Sequence, residues 1–491
     1  MECAGGVANN QNNKREGRPY RPSKSFSDEY KRSNPTLMSS KQLRRSNSIS
    51  TFSLNDHSTF YYNPAQSADG DSDATRLRWL ILLLSCGIMF GNYYAYDNPA
   101  ALNRPLQSWM QLGDQGKFNY WLSLCYSIYS FPNIILPLLA GTWMESYGLR
   151  KSLIVLSVLV CLGQAFFAQG ITQRSFHLTL IGRFLFGLGG ECLAVAQARL
   201  VTEWFVGREL ALALGMNLSV ARVGTIVNNI SSAWIYERWG IRTAVWVGFA
   251  MCVVSMLCSL CTIILTSCAR DTLKQRHTNH PEDFLSKSSM IRRPFWLLLL
   301  VCFLYFGAII PYNSVASDLL ARRNVLSLNQ ANVYMSMPDF IAMFIVPALG
   351  MFVDSTACKY PVILTGGLGL FLGHLLLACK QGSMMLPLSL LGIGYSCMLV
   401  FWALVPDLVG RRRQAMAYGL LTGAFNAAVS IVPLFVPLLV QWQDGGYTQA
   451  SLFFSILALL GVALTAFLLV LSHRRRIGGQ LYEEEALFSS S

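Results

Sequence analysis

Twelve apolar segments set the terms for anything this 491-residue chain can become. They run at about 77–97, 118–141, 152–170, 178–205, 209–235, 242–267, 294–318, 331–353, 361–380, 384–408, 414–440 and 448–472. Each is close to the roughly 20 residues that, at ~1.5 Å rise, carry a helix across ~30 Å of hydrocarbon. Only 13% of the residues are charged and 53% are hydrophobic, where a soluble chain of this size needs about 25% charged. The expected fold class is therefore an all-α polytopic membrane protein of twelve transmembrane helices. The net charge of +13 gathers in tails and loops, so it reports orientation in a bilayer and not an electrostatic footprint for nucleic acid.

The polar stretches divide the chain. Residues 1–76 are rich in Asn, Ser, Arg and Lys, which predicts a disordered tail. No signal peptide opens the sequence, so the first apolar segment is expected to direct insertion. The longest polar interval after the tail, 268–293, splits the segments into six and six: a bundle over 77–267, a linker, a bundle over 294–472 and a tail over 473–491. Basic clusters at Arg150–Lys151, Arg208, Arg270–Arg293, Lys359, Arg411–Arg413 and Arg474–Arg476 share one face, while Arg238, Arg242, Arg322 and Arg323 fall on the opposite side and dilute the bias. Both termini are thus expected in the cytosol. Most cysteines fall inside apolar segments, where Cys behaves as a small hydrophobe, and none has metal-ligand spacing. No nucleophile–base arrangement stands out either, so neither a cofactor, a metal nor enzymatic activity is expected.

The informative residues are the charges that break the apolar rule. Glu191 and Arg222 each lie about 12 residues from one end of adjacent segments, ~18 Å deep at helical rise. A charge there costs roughly 2.5–3.5 kcal/mol on insertion scales, so both must face a wet cavity or a partner. A zwitterionic solute needs an anion for its ammonium and a planar double donor for its carboxylate, which these two residues supply. Two residues of extended chain span ~7 Å, so a dipeptide bridges a gap that one amino acid cannot. The competing reading is that Glu191 and Arg222 pair with each other. Asp339, in the eighth segment, either carries a coupling proton or pairs with a nearby amide or hydroxyl. Asp97 sits at the end of its segment and is expected to be solvated. His374, alone on an apolar helix, is expected to be a packing residue. Tyr96, Asn98 and Tyr126 are candidates to line the cavity.

Gly141-x-x-x-Glu145-x-x-Gly148-x-Arg150-Lys151, between segments two and three, is echoed by Gly350-x-x-x-Asp354 between eight and nine. Glycines there allow two helices to approach, and the acids offer a contact that breaks when that face opens. With Arg183-x-x-x-Gly187-x-Gly189-Gly190, these stretches resemble signatures of the major facilitator superfamily, Glu145 replacing the usual Asp. The resemblance implies that superfamily's fold of two six-helix bundles, with Gly141, Glu145, Gly148, Arg150, Arg183, Gly350 and Asp354 in gating roles. The Gly-Pro motif that marks many antiporters in the fifth helix is missing. Longer stretches, YDNPAAL from Tyr96, YSIYSFPN from Tyr126, GRFLFGLGGECLAVAQ from Gly182 and MNLSVARVGTIVN from Met216, are similar to a branch of lysosomal dipeptide uniporters that work with a heavily glycosylated single-span subunit. That resemblance implies that Glu191 binds the peptide's amino terminus and Arg222 its carboxylate, with Trp402 lining the pocket.

Sequons occur only at Asn217 and Asn229, inside a membrane helix, which leaves the luminal loops bare and favours a shielding partner. Glu483-x-x-x-Leu487-Phe488 resembles an acidic dileucine signal, pointing to an acidic vesicle, with the plasma membrane as the alternative. The expected function is alternating-access uniport of dipeptides from lumen to cytosol. An amino-acid or monocarboxylate carrier, and a non-transporting scaffold or nutrient sensor, stay open as alternatives.

Overall fold

The computed structural model describes residues 72–111, 115–205, 208–272, 293–356, 358–379, 383–409, 414–441 and 447–489. Most of the expected amino-terminal tail and most of the linker lie outside these residues, as do the side chains of Asp354, Glu483, Leu487 and Phe488.

Ten helices among the described residues are long and apolar enough to cross a membrane, and a pair bent by 54° makes an eleventh. The 56-residue stretch Leu212–Ser267 is two crossings joined at Gly240, whose φ of 80° breaks the helix, which brings the crossings to twelve. In chain order they are α1 (Ser72–Ala101), α2 (Gln115–Ser130, resuming at Leu136–Tyr147), α3 (Leu149–Gln173), α4 (Phe176–Trp204), and α5 and α6 (Arg208–Thr272, divided at Gly240). The second half holds α7 (Arg293–Asn324), α8 (Leu328–Met335, resuming at Met337–Thr356), α9 (Lys359–Ala378), α10 (Met385–Met398 and Val400–Leu408), α11 (Gln414–Ile431, resuming at Val436–Gln441) and α12 (Thr448–Ser489). The helices form two bundles of six. The face at which α1 begins is called here the terminal face, and the opposite one the distal face.

Local chemistry fixes the ends. Ser175 caps α4 by accepting from Leu178 N, and Ser327 and Gln330 form a reciprocal capping box at the start of α8. Gly148, between α2 and α3, has φ 83°, a conformation that disfavours a side chain. Within the first bundle α3 and α4 approach so closely that a Cβ at Gly163 or Gly182 would strike the backbone of Phe186 or Phe167.

Prolines inside the spans matter more for the site. Pro99 in α1 lacks the N–H that would bond the carbonyl four residues back, at Ala95, and Pro347 in α8 likewise frees Met343. Both orphaned carbonyls are taken by other helices: Ala95 O accepts from Arg183 Nη1 at 3.3 Å, and Met343 O from Ser219 Oγ at 3.2 Å. In hydrocarbon a freed backbone group must find such a partner.

Candidate functional site

Glu191 sits near the middle of α4 and Arg222 near the middle of α5, and no ion pair joins them among the described residues. Tyr93 of α1 lies within electrostatic range of both. The Tyr129 hydroxyl of α2 lies beside the Glu191 carboxyl. The Arg222 guanidinium lies over the Tyr395 ring of α10, 4.3 Å from its centroid, and 5.7 Å from that of Tyr93. Its carboxylate partner is Asp339 of α8, with Nη1 to Oδ1 at 3.3 Å. Neither an amide nor a hydroxyl holds Asp339, as the sequence suggested, because the α5–α8 crossing brings a full charge to it from the other half.

Asp97 departs further from expectation. It is 5% exposed, not solvated, and faces Thr225, Asp339 and Arg222, with its Oδ1 lacking a hydrogen-bond partner. The apolar window closes at this acid, but α1 runs on to Ala101 and carries Asp97 inside.

Arg183 is fully buried within the first bundle. It donates to the backbone carbonyls of Ala95 and Tyr96 in α1 and Cys125 in α2. The rings of Tyr96, Tyr126, Tyr129, Phe167 and Phe186 surround it at 5.2–5.7 Å. From here it ties three helices of one bundle. Tyr96 and Tyr126 belong to this cage. Asn98 has no exposed surface; its Nδ2 donates to Asn228 Oδ1 and Ser232 Oγ of α5, and its Oδ1 is buried without a hydrogen-bond partner. Trp402 of α10 is half-buried, edge-on to Phe306 at 5.8 Å. His374 is buried against Tyr312 and Phe454 at 5.2 and 5.3 Å, a packing position.

On the terminal face the expected close approach is not made. A Cβ at Gly141 or Gly350 would meet nothing within 4 Å, and Glu145 is exposed. Arg150 is half-buried at the start of α3. The tight crossing of the halves lies instead between α2 and α11, where a Cβ at Gly423 would be 2.6 Å from Ile134 O.

The distal face carries a network the sequence did not announce. Asp318 of α7, 2% exposed at its side chain, accepts from Arg104 Nε at 2.7 Å, Arg322 Nε at 2.7 Å and the Tyr447 hydroxyl at 2.6 Å. Burial and the adjacent carboxylate hold the Tyr447 phenol well above its ordinary pKa, so it stays a donor. Around it Asn103 Nδ2 reaches Ser314 O, Asn332 Nδ2 reaches Ala101 O and Asn229 O, and Asn329 bonds Glu237. Arg104, Asn103, Ala101, Asn229 and Glu237 come from the first half, and their partners from the second. The two sequon asparagines, Asn217 and Asn229, are buried and hydrogen-bonded inside the protein.

Two bundles meeting around charges at mid-depth, with polar contacts at one end and open glycines at the other, have the architecture of a two-bundle membrane carrier. The sequence family model of the Major Facilitator Superfamily matches residues 121–400, and the chain belongs to that superfamily. It is similar to the lysosomal dipeptide transporter MFSD1 of Homo sapiens, 30% identical over 424 residues that cover 83% of this chain and 89% of the relative. The Mus musculus protein of the same name is 29% identical over 83% and 89%. Among solved structures it resembles the POT family transporter PepTSo, at TM-score 0.59 and 14% identity over 80% of this chain and 97% of that one. A D-xylose–proton symporter matches at TM-score 0.61 and 15% identity, covering 79% and 96%. Such distant structural likenesses speak for the fold. The chain is a multi-pass membrane transporter.

Proposed function

We propose that the protein carries dipeptides by alternating-access uniport from the lumen of a lysosome-like compartment to the cytosol. Glu191 receives the peptide's amino terminus and Arg222 its carboxylate. The observation that carries this reading is that these opposite charges, on adjacent helices, share Tyr93 as a neighbour without pairing to each other. Arg222 is held by a single contact from Asp339, and Glu191 has no cationic partner among the described residues, an arrangement that a purely structural role leaves costly and a ligand's ammonium would relieve. Similarity to dipeptide transporters of vertebrate lysosomes supports both the cargo and the compartment.

The terminal face belongs to the cytosol on the distribution of basic residues, and both chain termini lie there. The conformation described is then one sealed toward the lumen by the Asp318 network. Gly141, Glu145, Gly148, Arg150, Gly350 and Asp354 form the opposing gate, which closes when the bundles rock. Tyr96, Tyr126 and Trp402 shape the pocket's walls through the rings they pack. The buried sequons leave the chain without glycan cover, which favours a glycosylated single-span partner.

Purified protein should gain thermal stability from alanyl-leucine but not from single amino acids or lactate, since a ligand of the folded form alone stabilises it. Glu191→Gln and Arg222→Gln should each lose that gain and reduce uptake into proteoliposomes at least tenfold while the protein still folds. Normal uptake by both variants would place the site elsewhere.

A further inference from the structure

The charges at mid-depth do not balance as a simple two-ended clamp. Arg222 already has a carboxylate, Asp339, and that carboxylate comes from the opposite bundle. The contact is a single one at 3.3 Å, whereas the ion pairs at Asp318 close to 2.7 Å. Strong charge-assisted bonds lie near 2.7–2.9 Å, so this pair is loosely made. The guanidinium has five donors, and one is engaged with Asp339. Asp339 is faced by Arg222 from α5, by Asp97 and Tyr93 from α1 and by Tyr395 from α10.

We propose that Asp339 is a built-in stand-in for the peptide's carboxylate: it occupies Arg222 when the carrier is empty and yields it when a peptide binds. The inference rests on the reading of Arg222 as the carboxylate site and extends it to the unloaded half of the cycle. A uniporter must return empty. With Asp339 in place the returning carrier exposes a neutral pair to its interior, and without it a lone guanidinium must be carried through the closed state, which a low-dielectric interior opposes. The same residue lowers affinity, since the peptide must compete with it. Asp339 is thus a positioning residue whose two effects have opposite signs.

The test uses the full chain in proteoliposomes with labelled alanyl-leucine. Asp339→Asn keeps the shape and removes the charge. It should tighten binding at least fivefold, leave peptide-for-peptide exchange within about twofold of the parent, and slow net uptake into peptide-free vesicles at least tenfold. Asp339→Glu, which restores the charge, should recover net uptake. If Asp339→Asn does not fold, Asp339→Ser carries the same comparison. Unchanged or weaker binding, or exchange and net uptake falling together, overturns the proposal, because a merely structural role lowers both. Arg222→Gln separates the two readings. If it binds alanyl-leucine like the parent, the carboxylate site itself is misplaced; if it fails to bind while Asp339→Asn behaves like the parent, only the role of Asp339 is lost.

Discussion

A few single residues carry more of this protein's character than whole helices do. Val325, in the distal turn between α7 and α8, is held at φ 52° with 93% of its surface exposed. That left-handed backbone costs a β-branched residue about 1–2 kcal/mol, and no burial repays it. Val325→Asn should therefore stabilise the detergent-purified protein by about 1 kcal/mol in a thermal unfolding assay. The same scale shows what the sequence concealed. Glu191, Arg222 and Asp339 were legible as charges deep in apolar runs, but Asp97 and Asp318 were not. Each ends the apolar window that contains it, because hydropathy falls at a charge, yet the helix continues to Ala101 in one case and Asn324 in the other. Reading a helix's end from its first acid places a buried group at the surface.

Among the elements, the broken helices are the most consequential. Pro99 and Pro347 each release a carbonyl, and each carbonyl is met by a side chain from a different helix. Arg183 meets the first within a bundle, and Ser219 meets the second across the α5–α8 crossing. If Ser219 serves the carbonyl that Pro347 frees, the two residues must be energetically coupled. Ser219→Ala should cost about 1 kcal/mol in the parent protein and almost nothing in a Pro347→Ala background, where the helix satisfies Met343 itself. A double-mutant cycle on thermal stability reads this directly. Twelve spans and their order were plain from apolar length alone, but the interhelical use of proline was not. A motif such as YDNPAAL says that a carbonyl is freed and leaves unsaid who takes it. The glycines expected to press α2 and α8 against neighbours on the terminal face, Gly141 and Gly350, meet open space, while Gly423 makes the approach between halves. A glycine permits proximity in whichever state of the cycle requires it, so spacing alone does not name that state.

In the molecule as a whole, the two bundles are joined by polar contacts at the distal face and by Arg222–Asp339 at mid-depth. Asp318 is the centre of the distal set. Asp318→Asn leaves Arg104 and Arg322 facing each other without a counter-charge, which should shift the resting protein toward the form open on that face. Spin labels at Gln111 and Val325, which flank the network from opposite halves on the exposed distal surface, should show a longer mean separation in this variant. An unchanged distance distribution would mean that the halves are held by something else.

The seal's composition has its own consequence. Arg104, Asn103, Asp318, Asn332 and Tyr447 hold the halves through atoms that water can replace bond for bond. Parting them wets polar groups, so water makes good part of each contact that is lost. A small solute has little binding energy to offer, and a latch that hydration can substitute is the kind it is able to work.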